Sequence, residues 1–304
     1  MLTMRDVLQA RRTIAGHLPP TPSWSYPLLD AAAGRRVVLK HENAQPTGAF
    51  KVRGALNLLA GTEAGDALVT YSTGNHARAI AYAAREYGRP ATIVMPEHAD
   101  EVKVRAVEAL GAAVVRHGAD MGEAERFAQT LPGRLVSPGD EPALIAGVAT
   151  LYLELLERHP ELDTLVVPVG SGTGAAGACL VAAAVAPGCR VIAVQSQAAP
   201  AAHDSWRAGS CVYRQNRTTI DGLATGRGFA GPQEILRAHL SDFVLLGDDA
   251  IGDARRLLAR RAGTQAEGAG AAALAAVLAR PELMGSAVGV VVTGANATEL
   301  ELAR

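Results

Sequence analysis

The sequence predicts an α/β protein made of two units, each a parallel sheet covered by helices. Short apolar, β-branched runs alternate with longer stretches rich in Ala, Leu, Glu and Arg, and the alternation comes in two series. A Pro/Gly-rich patch, residues 132–142, lies between the series and reads as the crossing from one unit to the other. The chain of 304 residues is long enough for two ordinary domains or one large α/β domain, so a substantial core is available.

In the first series the strands are predicted at 36–40, 67–71, 91–95 and 113–116, with helical stretches at 56–60, 77–87 and 100–110. The second series places strands at 164–168, 190–194, 243–246 and 288–293 with helices between them. Each run is short and apolar, as strands buried on both faces require. No internal repeat or low-complexity linker interrupts the pattern.

Composition narrows the function. Lys+Arg 29 against Asp+Glu 30 give a formal net charge of -1, which offers no general attraction to nucleic acid or an acidic membrane surface. No apolar run approaches the ~20 residues of a membrane span, and the first residues lack the basic-then-apolar order of a secretory signal. A cytoplasmic protein acting on small molecules is expected. Cys179, Cys189 and Cys211 have neither Cys-x-x-Cys spacing nor a histidine cluster, so they read as reduced, half-buried residues rather than a disulfide framework or zinc site. Only Lys40, Lys51 and Lys103 exist, so chemistry that needs an amine has three candidates.

The first chemical signal is Val167-Pro-Val-Gly-Ser-Gly-Thr-Gly-Ala-Ala-Gly177, an apolar run followed by glycines and then an alanine-rich stretch. Glycines there let backbone N–H groups approach an anion, and the following helix N-terminus adds partial positive charge. Gly172, Gly174 and Gly177 spell a dinucleotide fingerprint, but the next strand ends in Gln195 where a ribose-binding carboxylate would stand. No Gly-Lys-Ser/Thr occurs, which removes the P-loop, and Gly170-Ser-Gly lacks the Gly-x-Ser-x-Gly nucleophile elbow. The remaining readings are a single phosphate monoester or a plain strand-to-helix turn.

The second signal is Leu39-Lys-His-Glu-Asn-Ala-Gln-Pro-Thr-Gly-Ala-Phe-Lys51-Val-Arg-Gly-Ala-Leu. Lys51 opens a predicted helix between Phe50 and Arg53, and apolar surroundings with a cationic neighbour lower an amine pKa, as a Schiff-base lysine needs. This segment, Ser72-Thr-Gly-Asn-His-Ala77, the glycine loop, Glu267-Gly-Ala-Gly-Ala and Val292-Thr-Gly-Ala-Asn296 together resemble, in order, the motifs of the fold-type II pyridoxal phosphate enzymes, specifically the serine/threonine dehydratase family.

The resemblance implies the tryptophan synthase β-like fold: a larger cofactor-binding domain of residues 1–42 and 143–304 and a smaller mobile domain of residues 43–142. It also implies roles. Lys51 carries pyridoxal 5'-phosphate as a Schiff base and moves the substrate Cα proton; Phe50 packs on the pyridine ring, and Asn75 bonds the ring 3'-oxygen. Gly170, Ser171, Gly172, Thr173 and Gly174 cradle the phosphate, while Thr293 faces the ring nitrogen as a neutral hydroxyl, which favours β-elimination over transamination. Ser72, Thr73, Gly74, Asn75 and His76 hold the substrate carboxylate through backbone N–H groups. Homodimerisation is the family expectation.

The plainer alternatives are that Asn75 and His76 cap their helix, Thr293 ends a strand, and Glu267 is a helix-terminus charge. Ala49 replaces the usual Ser before Phe-Lys, and the phosphate loop is Gly-Ser-Gly-Thr rather than four glycines. Gln195 and Ala201, with Ala199 between them, stand where metal-binding members carry carboxylates, so no divalent metal is expected. Thr73 stands where dehydratases commonly have Ala and racemases of this fold have a Ser acting as second acid/base. Only residues 297–304 follow the last motif, so an appended sensor domain is not expected.

The expected reaction is β-elimination of a β-hydroxy α-amino acid, L-threonine or L-serine by default, to a 2-oxo acid and ammonia. The alternatives are racemisation by Lys51 and Thr73, or β-replacement through an aminoacrylate. A binding module that keeps the fold without this cofactor is the reading from a different class. Arg227, in Gly222-Leu-Ala-Thr-Gly-Arg-Gly-Phe229, reads either as a clamp for an acidic substrate or, more simply, as a solvated surface residue.

Overall fold

A computed structural model describes residues 2–63 and 65–303. The strands are β1 (Ser23–Ser25), β2 (Arg36–His41), β3 (Leu68–Tyr71), β4 (Ala91–Met95), β5 (Ala113–Arg116), β6 (Arg134–Val136), β7 (Thr164–Pro168), β8 (Arg190–Ser196), β9 (Asp242–Leu246) and β10 (Ala287–Val292). The described residues form one sheet in the order β1-β2-β10-β7-β8-β9 and a second in the order β5-β4-β3-β6. All pairings are parallel except that of β1 with β2, which closes one edge of the larger sheet antiparallel.

Alternation within each strand feeds a core on either face, as the period of two requires. Val37 and Leu39 enter one cluster while Val38 enters another; likewise Leu68 and Val69 belong to separate clusters across the smaller sheet. Strand β10, Ala-Val-Gly-Val-Val-Val, is buried throughout at the centre of the larger sheet. This is the predicted α/β fold with two parallel sheets covered by helices.

Two strands depart from the expectation. The 132–142 patch is not only a crossing: it contains β6, which pairs parallel with β3. Gly133 enters it at φ +123 with an added Cβ only 2.7 Å from the Ala67 carbonyl oxygen, so the glycine that reads as a loop signal is what lets this edge strand approach. Strand β1 is three residues, Ser-Trp-Ser, too short to show a period.

The helix Pro142–Arg158 joins the two layers. Gly147 packs against Arg53 of the helix Lys51–Ala60, where an added Cβ would lie 2.5 Å from the Arg53 carbonyl oxygen. Its Ala149 meets Gly177 of the helix Thr173–Val185, 3.0 Å from an added Cβ. One helix thus fixes the lysine helix and the helix after the glycine loop relative to each other. A buried ionic cluster sits on it: Arg53 pairs with Glu42 at 2.8 Å and with Glu154 at 2.7 Å, and Lys40 donates to Glu154 at 2.5 Å. Among the described residues no helix is long and apolar enough to cross a membrane.

Candidate active site

The carboxyl ends of β3, β7 and β10 converge on a cavity of about 640 Å³. Such ends are where parallel α/β sheets place ligands. Phe50, Lys51, residues 72–76, Gly170 to Gly174 and Thr293 all line it, so the structure brings every predicted site residue to one place.

Lys51 is the first residue of its helix, and the turn before it is tied to the end of β10. Phe50 donates its backbone N–H to the Thr293 carbonyl at 2.9 Å, and Ala49 bridges Gly294. The Lys51 amine donates to Thr173 Oγ1 at 2.6 Å and Ser171 Oγ at 3.1 Å. Burial lowers its pKa to about 8, which raises the free-amine fraction near neutral pH to roughly a tenth, far above that of a solvated lysine.

The glycine loop is shaped by close approach. An added Cβ on Gly170 would lie 2.3 Å from the Gly222 carbonyl oxygen, and Gly172 adopts φ +93 as the N-cap of the helix Thr173–Val185. The helix's first internal bond is Ala176 N–H to the Gly172 carbonyl, which leaves the amides of Thr173, Gly174 and Ala175 without intrahelical acceptors. Free amides, two hydroxyls and a desolvated lysine form a donor set that fits a phosphate monoester joined to an aldehyde-bearing group, the chemistry of pyridoxal phosphate.

Across the cavity, Gly74 rather than Asn75 is the N-cap of the helix Asn75–Glu86. Capping therefore does not account for Asn75: its Nδ2 donates to Glu267 Oε1 at 2.6 Å and its Oδ1 accepts from Asn296 Nδ2 at 2.7 Å. Nor does His76 cap; Thr70 Oγ1 donates to the Val136 carbonyl at 2.7 Å and so accepts from His76 Nε2–H at 3.0 Å. Burial, aided by the nearby Lys51 charge, pushes the His76 pKa down to about 3 and keeps the ring neutral. Ser72 Oγ accepts the Gly74 N–H at 3.1 Å, and Thr73 lines the cavity beside it.

Several cavity residues do more than their sequence signal suggests. Glu267 is not an ordinary surface charge at a helix end: it is buried, faces Asn75, and burial raises its pKa to about 7 despite the Asn75 bond. Asn296 also accepts from Arg78 at 2.7 Å and donates to the Thr47 carbonyl, joining the motif ends. Both stood inside quoted motifs, and the signal was their spacing. Arg227 is not a solvated surface residue; its guanidinium faces the cavity, 2.8 Å from Glu125 Oε1 and 4.3 Å from the Phe229 ring centroid. Tyr71, Lys103 and Glu125 carried no local signal.

Away from the cavity, Cys179 and Cys189 are buried rather than half-buried, and Cys211 is exposed. Gln195 is buried, with its Oε1 accepting the His203 N–H, and Ala199 and Ala201 are buried near it. No group of three His, Cys, Asp or Glu able to hold a metal gathers among the described residues.

Residues 14–294 match the model of the pyridoxal-phosphate dependent enzyme family. The chain is 34% identical to the L-threonine ammonia-lyase of Thermotoga maritima, covering 97% of this chain and 76% of that protein. It is also 34% identical to the L-threo-3-hydroxyaspartate ammonia-lyase of Saccharomyces cerevisiae, covering 97% and 93%. Its structure superposes on that of maize serine racemase with a TM-score of 0.93 at 30% identity, covering 99% of this chain and 95% of the other. With that match, a desolvated lysine at the head of its helix and a phosphate cradle beside it, the chain belongs to the pyridoxal-phosphate dependent enzymes.

Proposed function

We propose that the enzyme eliminates water from a β-hydroxy α-amino acid such as L-threonine or L-serine, and that hydrolysis of the resulting enamine gives a 2-oxo acid and ammonia. The observation that carries this reading is the Lys51 amine, desolvated and held within 2.6 Å of the hydroxyl that opens the phosphate-cradle helix. When bound, pyridoxal phosphate supplies an electron-withdrawing ring that acidifies the substrate Cα–H and lets the β-hydroxyl depart.

Gly170, Ser171, Gly172, Thr173 and Gly174 hold the phosphate with backbone amides and two hydroxyls. Phe50 would pack against the ring, Asn75 would meet its 3'-oxygen, and Thr293 would offer a neutral hydroxyl to the ring nitrogen. Backbone N–H groups at residues 72–76 bind the substrate carboxylate at the helix N-terminus. With cofactor and substrate bound, the Lys51 amine would take the substrate Cα proton; an amine with pKa about 8 suits that task near neutral pH. Thr73 shapes the carboxylate loop. Closure of residues 43–142 over the cavity excludes water, and the working unit is a cytoplasmic homodimer.

Relatives named ammonia-lyases favour elimination, and the neutral Thr293 partner disfavours transamination. The serine racemase likeness and the Thr73 hydroxyl favour racemisation as a second, weaker reading. Incubating the holoenzyme with L-threonine and L-serine while assaying 2-oxo acid, ammonia and D-isomer separates the two: oxo acid without D-isomer supports elimination, and D-isomer alone supports racemisation. Light scattering on the eluted protein tests the dimer.

A further inference from the structure

We propose that the site selects β-hydroxy amino acids whose side chains carry no carboxylate, through a guanidinium at the cavity wall that the protein has already neutralised. The inference deepens the elimination reading and rests on it. It also separates this chain from those similar enzymes whose names specify hydroxyaspartate.

Arg227 lies in the loop that follows Gly222, and Glu125 lies in the helix Met121–Ala128 beside the smaller sheet. They pair at 2.8 Å, with side chains 27% and 24% exposed. Tyr71, the last residue of β3, donates its hydroxyl to the same Glu125 Oε1 at 2.6 Å. Asp140 stands 3.9 Å from the other guanidinium nitrogen, and the Phe229 ring backs the group at 4.3 Å. Phe229 is itself wedged against Gly139, where an added Cβ would lie 2.3 Å from its ring. Asp120 lines the same cavity and caps the helix of Glu125 through the Glu123 N–H at 2.9 Å.

Two carboxylates, Glu125 and Asp140, therefore flank one guanidinium, and Asp120 adds a third negative charge to the same cavity wall. An incoming side-chain carboxylate must either join Glu125 and Asp140 on Arg227 or displace Glu125, which Tyr71 also holds. Either course sets like charges together in a partly buried site. Two further cations of the cavity wall are paired with carboxylates, Lys103 with Asp221 and Arg214 with Asp204, while Arg78 donates one guanidinium nitrogen to the neutral Asn296. A methyl or hydrogen beside the β-hydroxyl meets Tyr71 and Phe229 with no such conflict.

The test uses the holoenzyme with L-threonine, L-serine and L-threo-3-hydroxyaspartate, reading kcat/KM from 2-oxo acid and Kd from the change in cofactor absorbance on mixing. Hydroxyaspartate is expected to be at least about tenfold poorer than L-threonine in both readouts. Glu125→Gln, which keeps an acceptor for Tyr71 but removes the charge, raises the hydroxyaspartate-to-threonine ratio by about tenfold, and adding Arg227→Met abolishes that gain. A wild type that prefers hydroxyaspartate, or a ratio unmoved by Glu125→Gln, overturns the proposal. If no amino acid yields oxo acid, the elimination reading fails, while the absorbance titrations still rank the three ligands and judge the selectivity separately.

Discussion

Lys51 Nζ and Thr173 Oγ1 lie 2.6 Å apart, although 121 positions separate Lys51 from Gly172, the N-cap of the helix that Thr173 opens. The helix Pro142–Arg158 makes this contact possible by packing tightly, through Gly147 and Ala149, against the helices that carry the two residues. The amine and the anion cradle are thereby one preorganised site.

Enlarging Gly170 tests the cradle without touching the lysine. A Cβ 2.3 Å from the Gly222 carbonyl oxygen must push backbone apart. Gly170→Ala is expected to weaken pyridoxal phosphate binding by at least about tenfold, measured by absorbance or fluorescence titration, while far-ultraviolet circular dichroism stays that of the folded wild type.

Glu267 gives the protein a stability that depends on pH. Its folded pKa of about 7 lies above its ordinary 4.5, so between these values the folded state binds more protons than the unfolded one. Its contribution is therefore most favourable below about pH 4.5, shrinks as pH rises to 7, and is fully unfavourable above that. Glu267→Gln, whose amide oxygen still accepts from Asn75, should remove this slope: urea unfolding should show the variant gaining on wild type from pH 5 to 8 by on the order of a few kcal/mol.

The buried ionic cluster supports the lysine helix. Arg53 satisfies Glu42 and Glu154 at once; Arg53 and Glu42 are fully buried and Glu154 mostly so. Arg53→Met leaves both carboxylates under-compensated and should cost about 3–5 kcal/mol in chemical denaturation, with Glu154→Gln costing less because Lys40 and Arg53 keep a neutral acceptor.

Thr73 separates elimination from racemisation. Thr73→Ala should leave 2-oxo acid production within about tenfold of wild type, because elimination needs one proton acceptor at Cα and Lys51 provides it. A D-isomer-forming activity, measured by chiral chromatography, should fall by about 100-fold or more if the hydroxyl serves as the second acid/base.

Much of this was legible in the chain. Strands such as Ala91–Met95 and Ala113–Arg116 fell where apolar runs placed them; the first is largely buried, as its unbroken apolar sequence implies, whereas the second is a partly exposed edge strand. The glycine loop and the lysine segment were readable because close approach and nucleophilic chemistry each demand particular residue types at short spacing. Three-residue edge strands such as Arg134–Val136 have no period to read. The Tyr71, Glu125 and Arg227 cluster is assembled by tertiary packing from a strand end, a helix and a loop, and an isolated Arg or Glu in sequence looks the same whether it faces water or a cavity. Asn75 could be read as a helix cap because only the fold brings Glu267 within 2.6 Å of it.

The most direct test of the central claim is borohydride reduction of the holoenzyme followed by peptide mapping of the pyridoxyl label. The chain has three lysines, Lys40, Lys51 and Lys103, so the result is unambiguous. The account predicts the label on the peptide carrying Lys51, and its disappearance in Lys51→Ala together with at least a ~1000-fold loss of 2-oxo acid production. Label on Lys40 or Lys103, or a Lys51→Ala variant that still forms oxo acid at the wild-type rate, would contradict it.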